Sequence, residues 1–158
     1  MSATVHTCLW FNDQAEEAAR FYTEVIPNSG IDEVIRYGPG EPMAAGTAML
    51  VRLTLDGHAV SLLNGGPHFC PWPAASLVVR CADQAAVDRC WATLSAQPEA
   101  EMCGWLVDRF GLSWQIVPAL LMEHLAGPPG PGVQRMTAAL RQMRKIDAAA
   151  LERAYSGR

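Results

Sequence analysis

Four histidines, five cysteines and one amide inside an apolar run are the side chains here whose types could do chemistry. The amide is Gln115, in the stretch CGWLVDRFGLSWQIVP (103–118). A turn at Asp108–Gly111 precedes the apolar strand that holds it. Two readings stand side by side: a core amide satisfied by hydrogen bonds, or the remnant of a metal-ligand position. At the other end, His6, Cys8 and Trp10 alternate and so share one face of a strand. His58 falls in a hairpin turn, His68 in a linker and His124 in the tail, where surface roles are expected. Cys8, Cys70, Cys81, Cys90 and Cys103 are odd in number, widely spaced and without a CxxC pair. That pattern excludes a zinc ribbon or disulfide framework and predicts reduced thiols packed as small apolar groups. Nothing marks one of them as an activated nucleophile. Trp10 and Trp72 are the tryptophans suited to a ligand pocket; Trp91, Trp105 and Trp114 read as core or interface, with Trp114 pointing away from Gln115.

Positioning these groups requires strands, and the chain supplies them twice. LWFNDQAEEAARFYTEV (9–25) and VVRCADQAAVDRCWATL (78–94) each run from an apolar strand through Asp-Gln-Ala into a helical pattern. Asp13 and Asp83 stand 70 residues apart. Ala18, Phe21, Tyr22 and Val25 repeat at helical spacing, as do Val87, Cys90, Trp91 and Leu94. Asp13 with Glu16 has the form of a capping box, and Asp83 is a candidate N-cap. The offset predicts an internal duplication. Further strands are expected at about 31–37, 47–55 and 58–64, the last two joined by the hairpin dipeptide Asp56-Gly57. GPGEPMAAG reads as a loop and NGGPHFCPWP as the divide between halves. The second half offers a strand near 75–82, a helix near 84–96, and strands near 101–108 and 113–117, one fewer than the first. Beyond Pro118 the pattern turns helical, with Val133, Met136, Leu140 and Met143 on one face and Asp147 capping a last helix that turns Leu151 and Tyr155 inward.

With half its residues hydrophobic and 18% charged, the chain reads as globular, and 158 residues suffice for a core. No apolar run reaches membrane-spanning length and no secretory signal is visible, so no membrane association and a cytoplasmic location are expected. The net charge of −4 disfavours nucleic acid. Residues 135–158 carry six basic against two acidic side chains, +4, which leaves −8 for the rest. A basic tail docking on the acidic body, or on a second subunit, follows.

The words CLWFNDQAEEAARFY, LNGGPHF, DQAAVDRCWATL, CGWLVDRFGLSWQIVP and RKIDAAALERAY together resemble the vicinal oxygen chelate superfamily, which includes glyoxalase I, bleomycin-resistance proteins and extradiol dioxygenases. They are most similar to its PhnB-like, 3-demethylubiquinone methyltransferase-like branch. The resemblance implies an α+β fold, with tandem βαβββ-type units forming a curved mixed sheet around a pocket. Residues 1–118 would be the paired domain (units about 1–66 and 74–118, the second shortened), and 119–158 a helical extension packing on the domain or a dimer partner. It also implies four strand positions for a divalent ion that polarises adjacent substrate oxygens. Residue by residue these are His6, Leu62, Ser76 and Gln115. Leucine has no donor, serine is a poor ligand and glutamine is neutral, so no complete metal site is expected. The candidate pocket lining is His6, Cys8, Trp10, Leu62, Asn64, Ser76, Arg80 and Gln115, with no cofactor. The chain also lacks the glycine-rich nucleotide loop typical of S-adenosylmethionine-dependent methyltransferases, which argues against methyl transfer. Three readings remain open. One is a binder of a small organic molecule, with or without catalysis. Another is a metal-dependent lyase, isomerase or dioxygenase with its ligands completed across a dimer. The third is a non-catalytic homodimeric module. All three accommodate a homodimer.

Overall fold

The computed structural model describes residues 5–70 and 73–158. Trp72, a candidate for the pocket, lies outside them. The chain divides into two compact units, residues 1–71 and 72–158.

The first unit runs β1 (Thr7–Phe11), α1 (Ala15–Val25), β2 (Gly30–Arg36), β3 (Ala48–Leu55) and β4 (His58–Asn64). The sheet order is β1–β4–β3–β2, with β1 parallel to β4 and the other pairs antiparallel. The expected hairpin at Asp56-Gly57 is present, both residues left-handed at φ 45° and 82°, the twist that a two-residue turn between antiparallel strands requires. α1 packs across β3 and β4. Ala15, Ala18, Ala19 and Tyr22 are buried on it, as are Val51, Leu53, Val60 and Leu62 of the sheet.

The capping box expected at Asp13 and Glu16 does not form. The N-cap position is Gln14, whose side chain makes no cap bond. The cap comes from another strand: the Ala15 N–H donates to Asn64 Oδ1 at 2.8 Å. Glu16 instead accepts from Arg20 at 2.7 Å and from Arg36 at 2.9 Å. A buried acceptor held by β4 outcompetes a local side chain that would have to remain ordered in water.

The second unit runs β5 (Leu77–Cys81), α2 (Gln84–Leu94), a 3-10 turn (Pro98–Ala100), β6 (Trp105–Val107), β7 (Ser113–Pro118), α3 (Ala119–Ala126), α4 (Pro131–Leu140) and α5 (Ala148–Ser156). Its order, β5–β7–β6 with β5 parallel to β7, repeats β1–β4–β3 of the first unit. The element without a counterpart is β2; the 3-10 turn stands in its place along the chain. Both halves are therefore of mixed α+β type, the second shortened as expected. Val87, Cys90, Trp91 and Leu94 are all buried, and Asp83 caps α2 by accepting from the Ala86 N–H.

The strand expected at 101–108 is reduced to 105–107. Cys103 and Gly104, at φ 53° and 88°, form a two-residue turn between Met102 and Trp105. Their N–H groups donate to the carbonyls of Met143 and Arg144, both at 2.8 Å, so the tail takes donors that a longer strand would use.

The tail is fastened to its own unit. Val117 of β7, Leu121, Met136, Ile146 and Leu151 form one buried cluster, with Leu140, Met143 and Tyr155 packed on it. Gln84 of α2 donates to the Ile146 carbonyl and accepts from the Ala148 N–H, at 3.0 and 2.8 Å. Lys145 pairs with Asp88 at 2.6 Å, the charge complementarity expected of a basic tail. Exposed ion pairs contribute little. The apolar cluster dominates, since burying one side chain of this size contributes about 1.5–3 kcal/mol. Among the described residues no helix is long and apolar enough to cross a membrane.

Candidate functional site

Strand register decides which side chains can act together. In the second unit Gln115 of β7 stands opposite Val78 of β5 and Trp105 of β6, which puts the three on one face. Trp114, the neighbour of Gln115, pairs with Leu77 and Leu106 on the other face, as expected, and is 1% exposed. Its indole N–H donates to Asp108 Oδ2 at 2.8 Å. Asp108 Oδ1 accepts from the backbone N–H groups of Phe110 and Leu112, so this buried carboxylate holds the DRFG turn.

Gln115 Nε2 donates to Ser76 Oγ at 2.9 Å. Both side chains are half-buried, and Val78, next after Ser76 on that face and paired with Gln115, is 54% exposed. Two of the four metal-ligand positions are thus joined by a hydrogen bond. Gln115 Oε1 has no protein partner among the described residues, and no buried side-chain nitrogen or oxygen there is unsatisfied, so this oxygen reaches the surface. The Ser76 hydroxyl keeps its own proton to donate. The pair therefore presents an acceptor and a donor side by side. Exchanging the amide's oxygen and nitrogen would still leave one of its groups free. Arg80, on the same alternating face, is drawn to α3 and pairs with Glu123 at 2.8 Å.

In the first unit the register splits the expected lining between two faces. Cys8 pairs with Ser61 and Trp10 with Leu63, whereas Leu62 pairs with Leu9 and Asn64 with Phe11. Leu62, 0% exposed, and Asn64, 1% exposed, lie on the α1 side of the sheet. The Asn64 amide is fully engaged: besides Ala15, it donates to the carbonyls of Asp13 and Ala48. Its own carbonyl accepts from Tyr37 Oη at 2.6 Å. Grouping Leu62 and Asn64 with His6 is therefore corrected by one residue, because a one-residue shift moves a strand side chain to the other face. Ser61 is the β4 residue that shares the face of Cys8. Phe11 pairs with Asn64 as Cys81 pairs with Pro118; counting back three from each partner matches Ser61 to Gln115. That count was available once the strand ends were known.

His6 lies just before β1 and is exposed, like Cys8. Trp10 is half-buried; its indole N–H donates to the Gly66 carbonyl at 2.8 Å, and its ring meets Phe69 edge-on at 5.0 Å. Gly65 must be glycine, since a Cβ there would sit 2.1 Å from the Trp10 ring.

The donor chemistry does not fit a divalent ion. With Ser61 in place of Leu62, the set is one histidine, two serine hydroxyls and one neutral amide, and serine is a poor ligand for a divalent ion. Among the described residues no three His, Cys, Asp or Glu side chains are grouped as a metal would need. Elsewhere, the buried free thiols Cys81 and Cys90 influence each other's titration, and the Cys81 thiol faces the Val79 carbonyl at 3.9 Å. The neighbouring Cys81 thiol lowers the Cys90 pKa to about 7, and the Cys90 thiol together with burial pushes Cys81 well above the usual thiol range. Both side chains pack between β5 and α2, away from the Gln115 face.

The sequence profile of the 3-demethylubiquinone-9 3-methyltransferase family matches residues 3–117. The PhnB protein of Bacillus cereus is 30% identical, with a TM-score of 0.64 covering 74% of this chain and 100% of that one. Protein PA1353 of Pseudomonas aeruginosa is 20% identical, TM-score 0.57, covering 74% and 98%. A gene product of Arabidopsis thaliana is 14% identical, TM-score 0.51, covering 74% and 99%. The last two likenesses concern the fold alone. No curated protein matches at a significant level.

Proposed function

This chain belongs to the 3-demethylubiquinone-9 3-methyltransferase family in its PhnB-like form, and on that footing we propose that it binds a small organic molecule against its sheets without a complete metal site. The observation that carries this reading is the Gln115–Ser76 pair, half-buried and 2.9 Å apart, with a free acceptor and a free donor beside exposed Val78. Such a pair recognises a carbonyl or hydroxyl group flanked by apolar surface. In the first unit, His6, Cys8 and Trp10 supply the corresponding strand face, and Ser61 on that face is itself buried. Residues 1–118 carry the binding function in this proposal and 119–158 are its extension. A homodimer is part of it too, supported by the large apolar side chains exposed at Met122 and Leu125 of α3.

The test is a thermal-shift screen of small carbonyl and hydroxyl compounds on tag-free protein, with elemental analysis before and after chelation. A compound that raises the melting temperature of the natural chain but not of Gln115→Ala or Ser76→Ala is the expected result. About one metal ion per chain, with stability lost on chelation, would instead support the metal-dependent reading. Light scattering checks the homodimer: a monomer at micromolar concentration rejects it.

A further inference from the structure

A second cavity lies wholly within the second unit, and the tail builds it. It has a volume of about 560 Å³, and the segments that line it are Glu99–Met102, Trp105–Val107, Ser113 and Arg141–Arg144, with Pro73. None of Ser76, Val78, Arg80 or Gln115 is among its lining residues. The arginines come from beyond residue 117, where the family match ends. The volume lies in the range of small-molecule sites.

The lining has a defined chemistry. Met102, Trp105 and Met143 give it an aromatic ring and two thioethers, groups that adapt to varied apolar shapes. Met102 is 64% exposed, so apolar surface is left open there. Arg141 and Arg144 are exposed and have no carboxylate partner among the described residues, whereas Arg20, Arg36, Arg52 and Arg80 are all paired. Glu99 and Glu101 lie on the other contributing segment; Glu101 is held at 2.7 Å by the Ser95 hydroxyl. An anionic ligand is attracted to the arginine segment and repelled by the glutamates, so the charges would orient it as well as hold it.

The walls are also fixed in place. The Cys103–Gly104 turn donates to the Met143 and Arg144 carbonyls, so its backbone ties the apolar hairpin to the arginine segment. Cys103 occupies the left-handed region without being glycine. At Gly104 a Cβ would meet Ile146 Cδ1 at 2.7 Å, so the close approach of hairpin and tail depends on that glycine.

We propose that this cavity is a binding site for an apolar organic monoanion, an aromatic or alkyl carboxylate or sulfonate. Its acidic group lies at Arg141 and Arg144, and its apolar body lies on Met102, Trp105 and Met143. Trp105 stands opposite Gln115 in the β6–β7 register, but Gln115 and Ser76 themselves do not line this cavity.

Two probes that differ by one acidic group test it on the full chain. 8-Anilinonaphthalene-1-sulfonate carries the anion, and N-phenyl-1-naphthylamine is its uncharged counterpart. Saturable sulfonate fluorescence with one site per chain is expected, weakened about tenfold in Arg141→Ala/Arg144→Ala. Both arginines are exposed, so the variant should melt like the natural protein. The uncharged probe should lose little, and Gln115→Ala should bind the sulfonate normally. Non-saturable binding overturns the proposal, as does equal sulfonate affinity in the double variant. An equal loss of both probes would also overturn it, since the arginines would then be acting on the apolar walls. Binding abolished by Gln115→Ala would move the ligand onto the Gln115–Ser76 pair and reject this site.

Discussion

At the residue scale the side chains divide by what their polar atoms have left to give. Asn64 has nothing left: its amide makes three bonds inside the first unit. Asn64→Ala strands the Ala15 N–H and two carbonyls in a buried place. A loss of about 3 kcal/mol is expected, read by urea unfolding. Gln115 has an acceptor to spare, so Gln115→Leu should change stability by less than about 1 kcal/mol while removing any ligand-induced shift in melting temperature. The cysteines divide likewise. Cys8 and Cys70 are exposed, and Cys81 and Cys90 are buried as free thiols. An Ellman titration should show two thiols reacting at once, Cys103 more slowly, and the buried pair only on denaturation. Early reaction of four or five would contradict the packing of α2 on β5, because a lowered thiol pKa speeds attack only where the reagent can reach the sulfur.

At the scale of elements, charge pairs tie helices to their neighbours. Hydrogen bonds from Arg36, then Arg20, hold the Glu16 carboxyl below its ordinary range. Lys145 does the same to Asp88, and His124 to Glu152. A carboxylate whose pKa is lower folded than unfolded stabilises the fold above its unfolded pKa, about 4, and loses that contribution as pH falls through the folded value. The melting temperature should therefore drop between about pH 5 and pH 3, and Glu16→Gln should flatten part of that drop. Identical slopes for the two proteins would place the acid sensitivity elsewhere. Capping shows what could be read locally. Asp83 and Asp147 each cap the helix that follows them, by accepting from the N–H three residues on. Asp13 has the same spacing and does not, since Asn64 reaches that helix first. In the second unit Pro118 stands where Asn64 would be, with no amide to offer, and the local aspartate keeps its role.

For the whole molecule, the tail is the part whose removal should matter most. Met136, Ile146 and Leu151 are 0% exposed and pack with Val117. Ending the chain at Pro118 would bare that cluster, and aggregation on size-exclusion chromatography is expected. Ile146→Ala is the milder probe and should destabilise by about 2–5 kcal/mol. A soluble, cooperatively folding truncation would show that the cluster is dispensable.

The sequence by itself determined the repeated order of elements. Hydrophobic alternation, helical spacing, the Asp56-Gly57 turn and the repeated Asp-Gln-Ala are local signals, each carried by neighbouring residues. It also showed that Ser76 and Gln115 are weak donors for a divalent ion, because donor chemistry is a property of residue type. Only the tertiary structure decided which of those positions meet. Gln115 and Ser76 are 39 residues apart and are joined because β5 and β7 lie side by side. Leu62 and Asn64 left the expected lining because a strand's two faces differ by a single residue of register, which composition does not encode. The cavity at Arg141 and Arg144 was invisible for the same reason: its walls lie some forty residues apart along the chain and are brought together by two backbone hydrogen bonds.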